Sequence, residues 1–211
     1  MAYLILVRHG ESLWNAKGLW TGLTDIPLSE KGRREAVLVA KAMKHIKIDI
    51  AYTSVLKRST QTLDQIKKTL RLNDLATFEN KALNERDYGE FTGKNKWEIK
   101  KQYGEEKFLK IRRGWDYSIP GGETLKDVYS RVVPYYQNQI LSKLEEGKNV
   151  LIVAHGNSLR ALVKYLENIS DKDIENLEIA TGDVYIYKTD NKNKILSKKI
   201  ITLKRKKIQL F

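Results

Sequence analysis

The stretch Tyr3-Leu4-Ile5-Leu6-Val7, followed directly by Arg8-His9-Gly10, constrains the fold more than any other part of the sequence. Its apolar run is too short to span a membrane and has the length of a buried strand. A second apolar run over Asn149–Ala154 also ends in a His-Gly pair, His155-Gly156. Ligands of parallel sheets bind at the carboxyl ends of the strands. We therefore expect two adjacent parallel strands whose terminal imidazoles, His9 and His155, meet across one site.

Strand-like and helix-like segments alternate along the chain, which predicts an α/β fold with a mainly parallel sheet. Further strands are expected at Asp49–Ser54, Ala76–Phe78, Val184–Lys188 and Ile195–Leu203. Helices are expected at Arg33–His45 with Ser29 as its N-cap, Leu56–Leu72, Trp97–Tyr103, Thr124–Leu144 despite Pro134, and Ser158–Leu166. The 211 residues, 41% of them hydrophobic, suit one domain with a three-layer α/β/α architecture. Within this single domain, 1–211, we expect the polar residues 84–122 to form a subregion that covers the substrate.

Composition restricts the function classes only in part. The net charge of +13, from 39 basic and 26 acidic residues, fits nucleic acid, a membrane surface, small anions, or a lysine-rich solvated surface. Most of the excess is lysine spread over surface-like helix positions, which favours the last interpretation and agrees with a polyanionic small substrate. The chain has no cysteine, so disulfides and thiolate metal sites are excluded and a cytoplasmic location is expected.

The residues around the two strand ends favour phosphoryl transfer. A lone histidine at a strand end is more often structural, but here Ser12 and Asn15 follow one histidine, and Asn157 and Ser158 follow the other. A helix expected after Asn157 presents N-terminal amides that favour an anion. Arg58, alone a typical surface residue, would form with Arg8 a guanidinium fork for phosphate oxygens. Three histidines without an HExxH pattern, and no Walker sequence, leave metal catalysis and P-loop chemistry unsupported.

These residues resemble the histidine phosphatase superfamily, whose signature is Arg-His-Gly, and within it the cofactor-dependent phosphoglycerate mutases. The similarity runs from residue 4 to about 188. It is carried by Leu6–Asn15, Thr21–Asp25, Leu28–Gly32, Ala51–Arg58, Leu83–Gly89, Tyr103–Glu106 and Ala154–Leu166, and the Asn-Glu-Arg block, Asn95-Lys96 and Arg112-Arg113 point to the mutase branch. The resemblance implies a phosphoglycerate mutase-like fold. Arg113 to Glu123 is short, as in the compact members of the family.

By this resemblance, His9 is the phosphohistidine nucleophile, Glu85 the general acid/base, and Arg8, Arg58 and His155 the groups that hold the phosphoryl group. Asn15 and Asn157 would add hydrogen bonds to the ligand. Arg112-Arg113 also fits an exposed helix turn with no role in binding. The full set of substrate-binding residues that the resemblance implies is Arg8, Ser12, Asn15, Thr21, Gly22, Arg58, Glu85, Tyr88, Lys96, Arg112, Arg113, Gly156 and Asn157.

The implied reaction interconverts 3-phosphoglycerate and 2-phosphoglycerate, with 2,3-bisphosphoglycerate as primer and intermediate and no metal. The alternative is a broad phosphomonoester hydrolase of the same superfamily, in which water reaches the phosphohistidine. A nucleic-acid-binding module, suggested by the charge, lacks a basic and aromatic motif of the recognised kinds. The expected partners are therefore phosphoglycerates, without nucleic acid or membrane, and the choice between monomer and homo-oligomer stays open.

The sequence departs from the family pattern at four positions near the site. Asp87 stands where histidine is usual, Leu23 where tryptophan is usual, Ala180 where proline is usual, and Asp183 where an apolar residue is common. The basic C-terminal stretch Leu203–Phe211 also differs from the usual tail and is either a solvated end or a flap over the anionic pocket. We expect these departures to tune the rate or the closure of the site.

Overall fold

A computed structural model describes residues 1–203 and shows a six-stranded sheet between two layers of helices. The strands are β1 (Ala2–Arg8), β2 (Ile50–Thr53), β3 (Thr77–Glu79), β4 (Val150–Ala154), β5 (Val184–Thr189) and β6 (Ile195–Ile201). Their order in the sheet is β3-β2-β4-β1-β5-β6. The first four strands in that order pair in parallel, and β5 pairs antiparallel with both β1 and β6. The predicted α/β/α fold with a mainly parallel sheet is confirmed.

The helices are α1 (Leu13–Ala16), α2 (Glu30–Ala42), α3 (Lys57–Leu70), α4 (Lys96–Arg113), α5 (Leu125–Tyr135), α6 (Leu141–Glu145) and α7 (Gly156–Glu167). Short 3₁₀ turns lie at Lys81–Leu83, Gly89–Phe91 and Asp173–Asn176. Ser29 caps α2 as predicted, because its side chain accepts a hydrogen bond from the Gly32 amide at 3.1 Å. The helix then ends at Ala42 rather than at the predicted His45.

Two segments differ from the sequence prediction for local reasons. The helix expected to end at Tyr103 does stop there, but Gly104, with φ 77° and ψ 167°, lets a second helical stretch follow at once within α4. The long helix predicted from Thr124 to Leu144 contains a π-helical segment, Tyr136–Ile140. That segment begins two residues after Pro134, which has no amide hydrogen for the regular helical hydrogen bond.

The core lies on both faces of the sheet, because alternate residues of each central strand point to opposite sides. In β1, Leu4 and Leu6 pack with α5, α6 and α7, whereas Ile5 and Val7 pack with α2 and α3. A third, smaller apolar cluster holds together the region between β3 and α5, and its members are Trp20, Tyr88, Phe91, Ile99, Phe108, Ile111 and Ile119. This arrangement leaves the carboxyl ends of β1, β2 and β4 facing the residues 84–122.

Of the basic stretch Leu203–Phe211, predicted to be a solvated end or a flap, residues 204–211 lie outside the described residues. Within residues 1–203, no helix has the length and apolar character needed to cross a membrane.

Candidate active site

His9 and His155 lie side by side at the centre of the sheet edge. Strands β1 and β4 pair in parallel with Arg8 opposite Ala154, so the residue after each strand reaches the same level. The two imidazole centroids are 4.9 Å apart, and both side chains are buried. The expectation that the two strand-end histidines meet is confirmed.

The His9 imidazole is oriented as a neutral nucleophile. Its Nδ1 lies 2.7 Å from the Gly10 carbonyl oxygen. Because a carbonyl oxygen only accepts hydrogen bonds, Nδ1 carries the proton and Nε2 keeps its lone pair. Burial lowers the pKa of His9 well below its usual 6.5, and the nearby guanidinium groups of Arg58 and Arg8 lower it further. Neutral imidazole is the form required to attack phosphorus.

His155 is held by a hydroxyl that the sequence analysis did not single out. The Ser54 Oγ lies 2.6 Å from His155 Nε2. Burial lowers the pKa of His155 well below 6.5, followed by the charge of Arg58 and the proximity of His9. Ser54 follows β2 directly, and β2 pairs with β4. Its position at the end of the predicted strand Asp49–Ser54 was the available signal.

Two guanidinium groups line the same cavity, that of Arg58, which is buried, and that of Arg8, which is partly buried. Arg58 donates to the carbonyl oxygens of Thr24 and Gly22 at 2.9 and 2.8 Å, and Arg8 donates from Nη1 to the carbonyl oxygen of Ile179 at 2.5 Å. Burial lowers the pKa of Arg58 to about 10, which leaves it charged at neutral pH. The Arg8 Nε is buried without a hydrogen-bond partner among the described residues, so a donor is available for an anion.

Glu85 is buried beside these cations and is ionised. Its Oε1 accepts hydrogen bonds from the backbone amides of Arg86 at 2.8 Å and Asn157 at 3.1 Å. Burial alone would raise the pKa of Glu85, but these two amides and the charges of Arg8 and Arg58 outweigh it and lower the pKa below 4.5. The balance between burial and these charges and amides therefore favours the carboxylate.

The Asn157 side chain, predicted to bind the ligand, is engaged with protein partners. Its Nδ2 donates to the Tyr88 hydroxyl at 2.8 Å, and its Oδ1 accepts from Arg160 Nη1 at 2.9 Å. Arg160 also donates to backbone carbonyls of residues 113, 174 and 177, so it ties the start of α7 to the end of α4. Arg160 was not among the predicted site residues, although it lies one helical turn after Asn157 in the same motif.

A second group of cations lies at the outer side of the cavity. Lys96 begins α4, and Arg112 and Arg113 end it. Burial lowers the pKa of Lys96 to about 8, and the charges of Arg8 and Arg112 contribute. The two arginines bind the carboxylate of Glu178, which the sequence analysis did not identify, with nitrogen–oxygen distances of 3.1 Å and 2.5 Å. The alternative of an exposed helix turn is therefore disfavoured for Arg112-Arg113, since both line the cavity.

The structure brings the predicted residues together around one cavity, with the exceptions of Ser12 and His155, which are not among its lining residues. His155 is buried next to the lining residue His9. Ser12 is buried and caps α1, where it accepts from the Asn15 amide at 3.1 Å. It thereby positions Asn15 but does not line the cavity. The lining comprises Arg8, His9, Asn15, Trp20, Thr21, Gly22, Arg58, Glu85, Tyr88, Lys96, Arg112, Arg113, Gly156, Asn157, Arg160, Leu177, Glu178 and Ile179. Six of these side chains are cationic and two are carboxylates, which favours a ligand with several negative charges.

The two glycines of the His-Gly pairs serve different purposes. Gly10 allows close backbone packing, because a Cβ there would lie 2.3 Å from the carbonyl oxygen of Gly32. Its role is the close contact between the end of β1 and the start of α2. Gly156 does face the site, where a Cβ would lie 3.4 Å from the Arg8 guanidinium carbon.

The four departures from the family pattern lie around the cavity rather than within its lining. Asp87 accepts a hydrogen bond from the Gly89 amide at 2.8 Å, and Asp183 accepts one from the Ala180 amide at 2.7 Å. Leu23 is partly exposed at 42%. Both aspartates therefore stabilise turns next to the site. Among residues 1–203, no group of three or more possible metal-ligating side chains is found.

Comparison with known proteins identifies the family. Residues 4–201 match the model described as the histidine phosphatase superfamily (branch 1). A 2,3-bisphosphoglycerate-dependent phosphoglycerate mutase of Bartonella bacilliformis is 46% identical over 200 residues, covering 94% of this chain and 97% of that protein. The protein of the same name from Cytophaga hutchinsonii is 45% identical over 192 residues, covering 91% and 90%.

Solved structures with the same fold are more distant in sequence. Bacillus stearothermophilus YhfR aligns with a TM-score of 0.80 at 26% identity, covering 92% of this chain and 94% of that one. A mycobacterial glucosyl-3-phosphoglycerate phosphatase aligns with a TM-score of 0.81 at 21% identity, covering 96% and 98%. At that identity, the second similarity concerns the fold alone.

Proposed function

The chain belongs to the histidine phosphatase superfamily, and from this premise we propose that it interconverts 3-phosphoglycerate and 2-phosphoglycerate through a phosphohistidine at His9. One observation carries the choice: a single cavity holds an ionised Glu85 and more cations than one phosphate needs, with Arg8 and Arg58 near His9 and with Lys96, Arg112 and Arg113 from α4. Removing one phosphate needs only the inner group, Arg8 and Arg58. The outer group, Lys96 with Arg112 and Arg113, fits a second anionic substituent on the same small ligand.

The names of the relatives support this choice. Proteins that are 43–46% identical along nearly the whole chain are named 2,3-bisphosphoglycerate-dependent phosphoglycerate mutase. We therefore assign 2,3-bisphosphoglycerate as the primer that phosphorylates His9 and as the bound intermediate of each turnover. A bisphosphate with a carboxylate has negative charge for both cationic groups of the cavity, so the residues present fit it.

In the first transfer, phosphorylated His9 gives its phosphoryl group to the free hydroxyl of 3-phosphoglycerate. The Nε2–P bond breaks, a new O–P bond forms, and the hydroxyl proton passes to Glu85. Arg8 and Arg58 hold the transferring group and offset the charge on its oxygens, and the neutral His155 beside His9 would add a hydrogen bond. His9 is left neutral, the state that its low pKa favours.

In the second transfer, the ligand turns so that its other phosphate faces His9. The Nε2 lone pair attacks that phosphorus, the O–P bond breaks, and Glu85 returns its proton to the leaving oxygen. The products are 2-phosphoglycerate and phosphorylated His9. The two cationic groups permit this reorientation, because either end of the ligand carries an anion that each group can bind.

Glu85 becomes a stronger base once the site is loaded. Arg8 and Arg58 lower its pKa. A phosphoryl group on His9 places negative charge beside the same two guanidinium groups and offsets their effect on Glu85. We therefore infer that the pKa of Glu85 rises when His9 is phosphorylated, which brings it towards the value that proton transfer needs.

We also propose that residues 84–122 cover the substrate and exclude water from the phosphohistidine. Five proposed binding residues belong to this region, namely Glu85, Tyr88, Lys96, Arg112 and Arg113. Six of its apolar residues pack with Trp20 in one cluster, which holds the region in place. Exclusion of water separates a mutase from a phosphatase, because water is the competing acceptor.

The test is a coupled assay for conversion of 3-phosphoglycerate to 2-phosphoglycerate, with and without 2,3-bisphosphoglycerate. We expect turnover that depends on the primer, and acid-labile phosphate on His9 detected by mass spectrometry. His9→Ala should lose both, while His45→Ala, a change at an exposed histidine, should retain both. Folded protein without primed turnover, or with faster hydrolysis of unrelated phosphate esters than mutase turnover, would overturn the proposal.

A further inference from the structure

The arginine pair at the end of α4 already binds a carboxylate of the chain. Each oxygen of Glu178 takes one guanidinium: Oε1 lies 3.1 Å from Arg112 Nη2, and Oε2 lies 2.5 Å from Arg113 Nη2. All three side chains line the cavity. A carboxylate therefore occupies the position where the outer cations would receive an anionic substituent of the ligand.

The backbone on both sides of Glu178 is anchored by cavity residues. The preceding carbonyl, of Leu177, accepts a hydrogen bond from Arg160 Nε at 3.0 Å, and the following carbonyl, of Ile179, accepts one from Arg8 Nη1. These two guanidinium groups fix the segment and direct the Glu178 carboxylate towards the arginine pair. The side chain itself is 51% exposed, so it has room to swing into solvent when another anion takes its place.

The second carboxylate of the cavity behaves differently. Glu85 is buried and bound by two backbone amides, so it does not compete for the arginine pair. Arg113 and Arg112 lower the pKa of Glu178 against the effect of its partial burial, which keeps it ionised at neutral pH. Of the two carboxylates in the lining, only Glu178 contacts the arginine pair.

We propose that Glu178 is an internal counter-anion that occupies Arg112 and Arg113 until a second anionic group of the ligand displaces it, and that it thereby sets specificity. The inference rests on the proposed function for the identity of the ligand. A ligand with one phosphate fills the inner site and leaves Glu178 in place. A ligand with a second anion must remove Glu178, so its affinity is reduced by the fraction of time that the pair is occupied.

The expected effect is moderate. Ion pairs that are partly exposed contribute little each, and salt screens them. Replacing Glu178 with glutamine keeps the size of the side chain and removes its charge. We expect Glu178→Gln to tighten binding of ligands with two anionic groups roughly 3- to 10-fold, and to leave ligands with a single phosphate unchanged.

Isothermal titration calorimetry tests this with three probes on the full chain carrying His9→Ala, in which no phosphoryl group can be transferred. The probes are 3-phosphoglycerate, 2,3-bisphosphoglycerate, and ethyl phosphate, which has a phosphate and no second anion. The matched control is Glu175→Gln, the same change of charge at an exposed residue nearby. Circular dichroism confirms that each variant is folded. The expected result is tighter binding of the first two probes by Glu178→Gln alone.

Two results would overturn the inference. Weaker binding of 3-phosphoglycerate by Glu178→Gln would mean that Glu178 holds the arginines in place for the ligand. Equal tightening of all three probes, or the same gain in Glu175→Gln, would mean a general effect of net charge. Because binding needs no turnover, the mutase assay reports separately: tighter binding without primed turnover contradicts the proposed function and leaves the role of Glu178 intact.

Discussion

Arg131 is predicted to position Glu85 without touching the substrate. From α5 it donates to the carbonyl oxygens of Ala82 at 2.7 Å, Asn84 at 3.0 Å and Glu85 at 3.0 Å. Its Nε also forms an ion pair with Glu123 Oε1 at 2.8 Å, and Glu123 Oε2 accepts a hydrogen bond from the Asp87 amide at 2.9 Å. One guanidinium thus holds the segment that carries the proposed acid/base, and Arg131→Leu should release it.

The size of the effect follows from what is lost. Hydrogen bonds to a charged donor contribute about 1.5–3 kcal/mol each, but solvent can rehydrate the three carbonyls because the Arg131 side chain is 23% exposed. We therefore expect Arg131→Leu to lower the free energy of unfolding by about 2–3 kcal/mol, less than the sum of the three hydrogen bonds. A displacement of a catalytic group by about 1 Å lowers the rate roughly 100-fold. This lies within the loss of about 10²–10⁴-fold in rate that is expected for Glu85→Gln. The fall should be in kcat, with a smaller change in KM.

A double-mutant cycle with the mutase assay separates positioning from a general structural role. If Arg131 acts through Glu85, the double variant Arg131→Leu/Glu85→Gln should be about as slow as Glu85→Gln alone. Arg131→Lys keeps the charge but not the forked geometry, and should fall between wild type and Arg131→Leu. Arg34→Leu, at an exposed arginine of α2, is the control. Losses that multiply in the double variant, or a normal kcat in folded Arg131→Leu, would refute the reasoning.

Three further outcomes are expected. In an NMR titration, the His9 ring should stay neutral as the pH falls through 6.5. The free energy of unfolding should then decrease below pH 6.5, because the unfolded chain binds protons that the folded site does not. A His9 titration midpoint at 6.5 or above would contradict this prediction. At pH values above about 8, the KM for 3-phosphoglycerate should increase as Lys96 loses its charge. Lys96→Arg should shift this increase to higher pH, and an unchanged pH profile of KM in the variant would contradict the role of Lys96. In urea unfolding, Gly10→Ala should lower the free energy of unfolding by about 3 kcal/mol, because the new Cβ would lie 2.3 Å from the Gly32 carbonyl oxygen. Gly147→Ala, where no atom lies within 4 Å of the new Cβ, should lower it by only about 1 kcal/mol because of the positive φ. Equal losses in the two variants would contradict the steric argument.

The layers of the fold were predictable because their signals act over short distances along the chain. The apolar run Tyr3–Val7, the cap at Ser29 and the apolar spacing of the helices each depend on neighbouring residues. The two His-Gly pairs placed the site at the sheet edge for the same reason. The type of irregularity at Tyr136–Ile140 was not predictable, because a helix that contains Pro134 can form either a kink or a π-helical segment.

By itself, the sequence determined the layered α/β fold, the strand ends that carry His9 and His155, and the family to which those motifs belong. Tertiary structure alone decided that Glu85 is ionised, that Ser12 accepts a hydrogen bond from the Asn15 amide, and that Glu178 binds the arginine pair at the end of α4. These properties join residues far apart in the chain: Arg131 and Glu85 are separated by 46 positions, and Arg112 and Glu178 by 66. Charge and hydrogen bonding depend on burial and on distances of a few ångströms, which a one-dimensional pattern does not contain.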